Sequence, residues 1–402
     1  MFSGLKEARG SVFFMLCMMG IFAILSSTLS KNPVLKPFAT SLETPEGFWM
    51  GFVASASTIP GILFSLPAAS LSDIFGRRKV LLASAFVFAS APFLYLLVTV
   101  WWQLILVRFY HGFATAIFVP VTEASIAEAF PTKRGERISL FSSVTSVGRG
   151  IAPFLGGYIL FVTGYGYHML YLAVGIMGVT AFVTATLFLA EKKRSPADSI
   201  NSVKTAKSML HGWRIISGNS GILMACLIQA SQYYTFGAVE FFLVGYLGDV
   251  VQLDAFQIGI IMGCQIVAVI IFKPFMGRVS DRIGRTTPII VGSIASGLPL
   301  LAFPFITRFS DLLLLSVIYG LGFAMVTSST PALVSELAPV NLTGAAMGFL
   351  GMTMDIGQTI GPLITGMILA TNLGYQGSFP ALTAVLLFSV VIFALPKIAK
   401  AK

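Results

Sequence analysis

The sequence contains few charged residues. Its 402 residues include 26 Lys or Arg and 16 Asp or Glu, which together make up 10% of the chain, against roughly 25% in an average soluble domain. So few charges cannot cover a water-facing surface of ordinary size, which excludes a soluble enzyme and a disordered chain. Cysteine is also scarce, and Cys17, Cys226 and Cys264 all lie in apolar stretches. Such thiols behave as small hydrophobic groups, so a disulfide scaffold is excluded too.

Several signatures of enzymes and pumps are missing from the sequence. The chain has no GxxxxGK(S/T) phosphate-binding loop, no HExxH motif and no cluster of Cys and His, and its three His are scattered. These absences argue against an ATP-driven pump, a metal site and a catalytic triad. We therefore expect a protein that is not an enzyme and that needs no cofactor or metal.

Long apolar stretches dominate the sequence. Residues of the AVILMFWYC set make up 56% of the chain, and the mean hydropathy is +0.88. Apolar windows long enough to cross a membrane of ~30 Å centre near residues 24, 58, 90, 115, 150, 180, 233, 266, 297, 323, 357 and 386. Strands of a membrane barrel would instead alternate over about 10 residues. The sequence thus predicts an all-α membrane protein with twelve spans, the first of which is not a cleaved signal peptide.

The basic residues fall on one side of the predicted membrane. Short loops alternate in composition, and 20 of the 26 basic residues lie in one set of loops, the two termini and the connector after the sixth span. Because cytoplasmic loops carry an excess of Lys and Arg, we expect both termini in the cytoplasm and the protein in the plasma (inner) membrane. The net charge of +10 then reflects topology. Nucleic-acid binding, which needs a basic folded face, is the weaker interpretation.

The chain repeats itself at an interval of 208 residues. The segment EGFWMG at 46–51 matches DAFQIG at 254–259, and the turn around Asp73 matches the turn around Asp281. A pattern of two glycines and a proline recurs at an interval of 209, at Gly148, Pro153 and Gly157 and at Gly357, Pro362 and Gly366. Parallel repeats usually form two halves with a substrate site between them. We predict halves at residues 1–190 and 220–402 and a cytoplasmic connector at 191–219.

These motifs resemble the major facilitator superfamily along the whole chain. The family's loop signature, GxLaDrxGRrk, is similar to ASLSDIFGRR at 69–78 and to GRVSDRIGRT at 277–286. Its fourth-span pattern is matched by Arg108 and Gly112, and its fifth-span antiporter pattern, GxxxGPxxGG, by Gly148, Ala152, Pro153, Gly156 and Gly157. The resemblance implies the major facilitator fold, in which twelve transmembrane helices form two pseudo-symmetric six-helix bundles. The fifth-span pattern resembles the drug:proton antiporter branch.

A tight turn in each half is predicted to act as a conformational latch. Asp73 lies beside a glycine that lets the backbone reverse, so its carboxylate can face the positive end of a helix in the other half in one conformation only. By the resemblance, the latch comprises Asp73, Gly76, Arg77 and Glu128 in the first half and Asp281, Gly284, Arg285 and Glu336 in the second. Alternatively, the arginines only anchor helix ends at the lipid headgroups.

The glycines of the fifth span predict a close helix interface. Small residues let another helix backbone approach within lipid, and a proline bends the span. The predicted interface comprises Gly148, Pro153, Gly156 and Gly157. A sealed, bendable interface suits an antiporter, although ordinary helix packing explains the glycines equally well.

Charges at membrane depth identify the candidate site. At 1.5 Å per residue, Arg149 and Asp355 lie roughly 16 to 18 Å deep, near the bilayer centre. Ionisable residues at that depth are functional candidates by default. We predict that Asp355 binds and releases a proton and that Arg149 faces substrate, the alternative being a fixed ion pair or a water-satisfied residue. By the same count, Glu240 and Lys273 fall near helix ends.

Polar side chains at similar depth complete the predicted substrate cavity. The full set is Arg108, Arg149, Gln229, Gln232, Tyr233, Gln265 and Gln358. Arg108 enters this set through the family resemblance, and the glutamines can bind a ligand or only each other.

Together these features predict a proton-coupled secondary active transporter that works by alternating access. Its partners are expected to be a small-molecule substrate, protons and the lipid bilayer, with no nucleic acid, and we expect a monomer. The favoured cargo is a small organic or drug-like compound that is exported. The alternatives are an organic-anion uptake carrier or exchanger and, less favoured, a membrane sensor that does not transport.

Overall fold

The structure is a computed structural model that describes residues 2–188, 214–339 and 342–400. Within these ranges, the side chains at 2–11, 65–67, 69–71, 73–74, 188 and 395–400 are not described. Most of the predicted connector at 191–219 and the side chain of Asp73 therefore lie outside the described residues.

The described part of the first half, residues 2–188, forms eight helices. They are α1 (Phe2–Leu29), α2 (Leu35–Ser41), α3 (Phe48–Ser55), α4 (Ile59–Phe75), α5 (Arg77–Tyr95), α6 (Trp101–Ala129), α7 (Arg134–Val162) and α8 (Tyr167–Phe188). The short helix α2 lies between the first and second crossings, and α3 and α4 together form the second crossing.

Six long helices form the described part of the second half. They are α9 (Ser220–Ala238), α10 (Ala255–Ile283), α11 (Thr286–Ala302), α12 (Phe309–Leu337), α13 (Thr343–Leu369) and α14 (Gly374–Lys400). Two π-helical turns, Val239–Leu243 and Tyr246–Val250, extend α9, and a 3₁₀ turn, Phe303–Phe305, follows α11.

The prediction of an all-α membrane protein is confirmed. Among the residues that the structure describes, ten helices are long and apolar enough to cross a membrane. The broken pair α3 and α4, and α13, whose hydropathy is lowered by Asp355 and Gln358, complete twelve crossings. Short loops make successive helices alternate in direction.

The two ends of the helix bundle are named by the chain termini. We call the face where α1 begins and α14 ends the terminal face, and the opposite face the distal face.

The apolar core is shared by the two halves only at the distal side of the described structure. There, one cluster contains Leu29 and Val34 of the first half together with Phe241 and Phe242 of the second. Towards the terminal face, α1, α5, α6 and α7 share a core of their own, and α9, α12 and α13 share another. The two halves are therefore packed together at one end and separate at the other.

The second crossing is broken in its outer third. α3 ends at Ser55 and α4 begins at Ile59. Pro60, in the first turn of α4, has no backbone N–H and cannot continue the hydrogen-bonding pattern of α3. The Thr58 amide instead donates to the Ser55 carbonyl. This break leaves carbonyls at the end of α3 without helical donors.

Arg108 of α6 satisfies these carbonyls. Its Nε donates to the Val53 carbonyl at 3.3 Å, and its Nη2 donates to the Ala54 carbonyl at 3.0 Å and to Ser57 Oγ at 2.8 Å. The side chain is only 1% exposed. Arg108 thus ties α6 to the break between α3 and α4, because its planar fork of donors fits several acceptors at once.

Replacing Arg108 is expected to destabilise the first half. Arg108→Ala removes charge-assisted hydrogen bonds and leaves buried carbonyls unpaired, so the free energy of unfolding in SDS should fall by about 2 kcal/mol. Arg108→Lys, which keeps the charge but loses the fork, should recover only part of this loss. Unchanged stability in Arg108→Ala, together with lost ligand binding, would assign Arg108 to the substrate instead.

A candidate substrate pathway between the two halves

Close backbone contacts seal the distal end of the interface between α7 and α10. A Cβ at Gly157 would lie 2.5 Å from the Ala255 carbonyl oxygen, and a Cβ at Gly259 would lie 2.6 Å from the Pro153 carbonyl oxygen. Real Cβ atoms do not approach so closely. The two helix backbones touch because both positions lack a side chain.

The same contact recurs where α3 meets α13. A Cβ at Gly51 would overlap the Pro362 carbonyl, and a Cβ at Gly366 would overlap the Gly47 carbonyl. These positions correspond to the first set at the 208 and 209 intervals of the repeat. We call the two pairs of contacts the distal gate.

The predicted glycine motif divides between two interfaces. Pro153 and Gly157 meet the second half, whereas Gly148 packs within the first half, where a Cβ would lie 2.6 Å from the Ile21 carbonyl oxygen of α1. Gly156 likewise faces Pro33, with a corresponding distance of 2.9 Å. The motif therefore lets α7 approach helices on both of its sides.

An ion pair also links the halves at the distal face. The Nζ of Lys36, on α2, lies 3.9 Å from Asp249 Oδ2 of the second half and 4.0 Å from Glu46 Oε1. The lysine is 4% exposed, whereas both acids are largely exposed. This pair supports the closed distal gate.

The interface opens towards the terminal face. Gly277 lies five turns after Gly259 on the same face of α10, yet a Cβ there would meet no atom of the described residues within 4 Å. Gly351, about three turns before Pro362 on α13, is equally open. The described residues thus form a cavity that is closed at the distal face and open at the terminal face.

Arg149 faces this cavity. It shares one face of α7 with Thr145, Gly156 and Leu160, all of which are buried, and the lipid-facing residues lie on the opposite side. Arg149 is nevertheless exposed, because the cavity is open at its level. Among the described residues, its guanidinium has no hydrogen-bond or ion-pair partner.

Asp355 lies where the two halves still touch. Its Oδ2 would be 2.7 Å from a Cβ at Gly61 of α4, so its carboxylate packs against the backbone of the other half. The residue is half-buried. No basic side chain of the described residues lies within 4.0 Å of it. Asp355 is therefore an acid between the halves without a fixed counter-ion.

A small polar cavity continues from this point towards the distal gate. Its volume is about 20 Å³, enough for one water molecule. Both halves contribute polar groups to its lining, namely Lys31, Ser57, Thr58, Arg108, Glu240 and Gln358. Gln358 Nε2 lies 3.5 Å from Glu240 Oε2, and Lys31 is within electrostatic range of Asp355 and Glu240.

The other predicted cavity residues separate into two groups. Tyr233 is half-buried, packs on Phe323 with 5.3 Å between ring centroids, and is within electrostatic range of Arg149. The remaining three, Gln229, Gln232 and Gln265, are at most 1% exposed. In this conformation they lie inside the helix packing of the second half and do not reach the open cavity.

Lys273 is not among the residues that the sequence predicts to line the cavity. The count along the chain placed it near a helix end, but α10 extends to Ile283, so Lys273 lies about 15 Å from that end. It shares a face of α10 with Met262 and Ile266, which are buried, yet it is itself exposed. Lys273 therefore faces the cavity as Arg149 does.

The two predicted latch turns have matching geometry. Gly76 and Gly284 adopt φ angles of +92° and +87°, which a side chain would disfavour. Arg77 Nη2 donates to Glu128 at 3.0 Å. In the second half, hydrogen bonds to Glu336 and Asp281 raise the pKa of Arg285 above its ordinary value. The described partners of each arginine lie within its own half.

An alanine at position 259 is expected to open the distal gate. Gly259→Ala forces α7 and α10 apart, at about 1 to 3 kcal/mol for overpacking. Gly277→Ala is the matched control, because it lies on the same helix face in open space. Spin labels at positions 100 and 307, in distal loops of the two halves, should move apart in Gly259→Ala and stay unchanged in Gly277→Ala. Equal distances in both variants would contradict the gate.

Comparison with known proteins supports this architecture. The family model of the Major Facilitator Superfamily matches residues 10–248 and 225–402. An uncharacterised MFS-type transporter of Methanocaldococcus jannaschii is 25% identical over 377 residues, which cover 92% of this chain and 90% of that protein. Multidrug resistance protein MdtG of Enterobacter lignolyticus is 25% identical over 351 residues, covering 85% and 81%.

A solved structure shows the same fold. A bacterial homologue of the human lysosomal transporter Spinster, in an inward-facing and unoccupied conformation, superposes with a TM-score of 0.76 at 14% identity. The match covers 97% of this chain and 95% of that one. The family expected from the loop motifs is thereby confirmed. The chain belongs to the major facilitator superfamily and is a membrane transporter, not an enzyme.

Proposed function

We propose that the chain is a proton-coupled transporter that exports small organic compounds by alternating access. The observation that carries the proposal is the position of Asp355, packed against Gly61 of the other half at the apex of the open cavity. Any rocking of the halves that opens the distal gate changes the surroundings of this carboxylate. A buried carboxyl holds its proton more tightly than a hydrated one, so such motion is able to couple proton release to transport.

The orientation follows from charge. The terminal face carries Arg77, Arg78, Arg282 and Arg285 in its turns, and cytoplasmic loops are enriched in such residues. We therefore assign the terminal face to the cytoplasm and place the protein, as a monomer, in the plasma membrane. The cavity is then open to the cytoplasm, which suits the uptake of cargo for export.

The relatives favour organic cargo. MdtG is named as a multidrug resistance protein and matches most of this chain. The latch turns fit the same cycle, because the described ion pairs of Arg77 and Arg285 each lie within one half and do not tie the two halves together. An organic-anion uptake carrier or exchanger uses the same cavity in the opposite direction, so the direction of flux separates these two functions.

Asp355→Asn is expected to abolish proton coupling. Inside-out vesicles with an acidic lumen should lose part of their proton gradient when a compound from a panel of organic cations, neutral molecules and anions is added, and vesicles with the variant should not. The amide cannot carry a proton, but it keeps the shape of the site, so exchange of labelled compound without a gradient should persist.

Glu123→Gln is the matched control, because Glu123 is a half-buried acid of α6 that takes no part in the proposed coupling. Vesicles with Glu123→Gln should lose part of their proton gradient when the compound is added, as vesicles with the native chain do. The proposal would be contradicted if transport by Asp355→Asn still responded to the proton gradient. It would also be contradicted if no compound of the panel lowered the proton gradient in vesicles with the native chain.

A further inference from the structure

Two cations from different halves lie within electrostatic range of each other where the open cavity narrows. The ideal Cβ position of Gly150, on α7, lies 3.2 Å from Ile270 Cδ1 of α10, and this is where the two helices still touch. Arg149 adjoins Gly150, and Lys273 lies one turn beyond Ile270. Since α7 and α10 are antiparallel, both residues lie to the terminal side of this contact, with Lys273 farther from the distal gate than Arg149. Their long side chains are still close enough for Arg149 to act electrostatically on Lys273.

The helix faces show that both side chains point into the cavity and away from lipid. On α7, the exposed apolar residues Val147 and Ile151 lie on the side opposite Arg149. On α10, the lipid side carries Ile271 and Phe275, both exposed, whereas Lys273 lies in line with the buried Ile266. Arg149 and Lys273 are therefore exposed to the cavity and not to lipid.

Neither cation has an acidic partner in the described part of the chain. No ion pair or hydrogen bond involves the side chain of Arg149 or Lys273 there. Of the described charged side chains, it is Arg149, a second cation, that acts electrostatically on Lys273. Like charges near the centre of a membrane repel each other and cost several kcal/mol, so such residues are kept where a ligand or an ion pathway needs them.

We propose that Arg149 and Lys273 together bind the acidic group of an organic anion, a carboxylate, phosphonate or sulfonate, between the two halves. The guanidinium offers two parallel donors that match such a group, and the ammonium adds a point charge. The bound group cancels the repulsion between the cations and links α7 to α10. The inference rests on the transport function proposed above, because it names the class of its substrate, but it holds for either direction of transport.

Matched compounds test the charge requirement directly. Binding of aryl carboxylates and sulfonates, 2-naphthoate among them, is compared with binding of their neutral carboxamides and sulfonamides. The full chain in detergent is titrated calorimetrically at low ionic strength and without a proton gradient. The native chain should bind the anion of a pair more tightly. Arg149→Gln and Lys273→Gln should each weaken anion binding at least tenfold, about 1.4 kcal/mol, and leave neutral binding unchanged.

Arg278→Gln is the matched control. Arg278 lies five residues after Lys273 on the lipid side of α10 and is exposed, so its loss should not change the affinity for either compound of a pair. Arg149→Lys should retain more anion binding than Arg149→Gln, because the charge remains.

The possible outcomes separate this inference from the function on which it rests. Equal binding of anion and amide by the native chain, or binding of neither, overturns the anion site. If Arg149→Gln weakens binding of the anion and of its neutral amide equally, the anion site is overturned as well, because Arg149 then does not recognise the charge of the ligand. Proton coupling is measured separately through Asp355, so an anion preference without coupling would contradict only the export mechanism.

Discussion

The structure depends on the contact of helix backbones across the membrane interface at four glycines. Where Gly157, Gly259, Gly51 and Gly366 meet carbonyl oxygens of the other half, no side chain separates the helices, and the distal side is sealed. Towards the terminal face the same helices diverge and expose polar groups. Because each half packs as its own core there, the halves can rotate about the gate without breaking the packing within either half.

The charges are distributed according to this geometry. Asp355 lies at the contact between the halves, Arg149 and Lys273 face the open cavity, and Lys31 and Glu240 line the small polar cavity towards the distal gate. An ion at this depth is tolerated only where water, a partner or a ligand satisfies it. These charges therefore mark one pathway between the halves, and its distal end is closed in this conformation. Arg108 is different, since its donors hold the broken second crossing in place.

Much of this could be predicted from the sequence, and the failures have physical causes. The fifth-span motif predicted a close helix interface at Pro153 and Gly157, and both meet the other half. The sequence showed Gly51, Gly259 and Gly366 only as repeated positions, because their contacts are long-range. The sequence predicted the depth of Arg149 and Asp355 from the helical rise, but not the helix face on which each side chain lies. Lys273 was misplaced because a count of apolar residues cannot tell how far a helix extends beyond the membrane. The role of Arg108 at the break before Pro60 was not predicted, because it depends on tertiary hydrogen bonds that no local pattern reveals.

The central claim is that the midplane charges are accessible to water from one side of the membrane at a time. In a chain without native cysteines, Arg149→Cys can be exposed to an impermeant maleimide from either side of oriented vesicles. The account predicts rapid labelling from the terminal face and, in the same conformation, protection from the distal face. Rapid labelling from both sides at once, as in an open pore, or from neither side would contradict it.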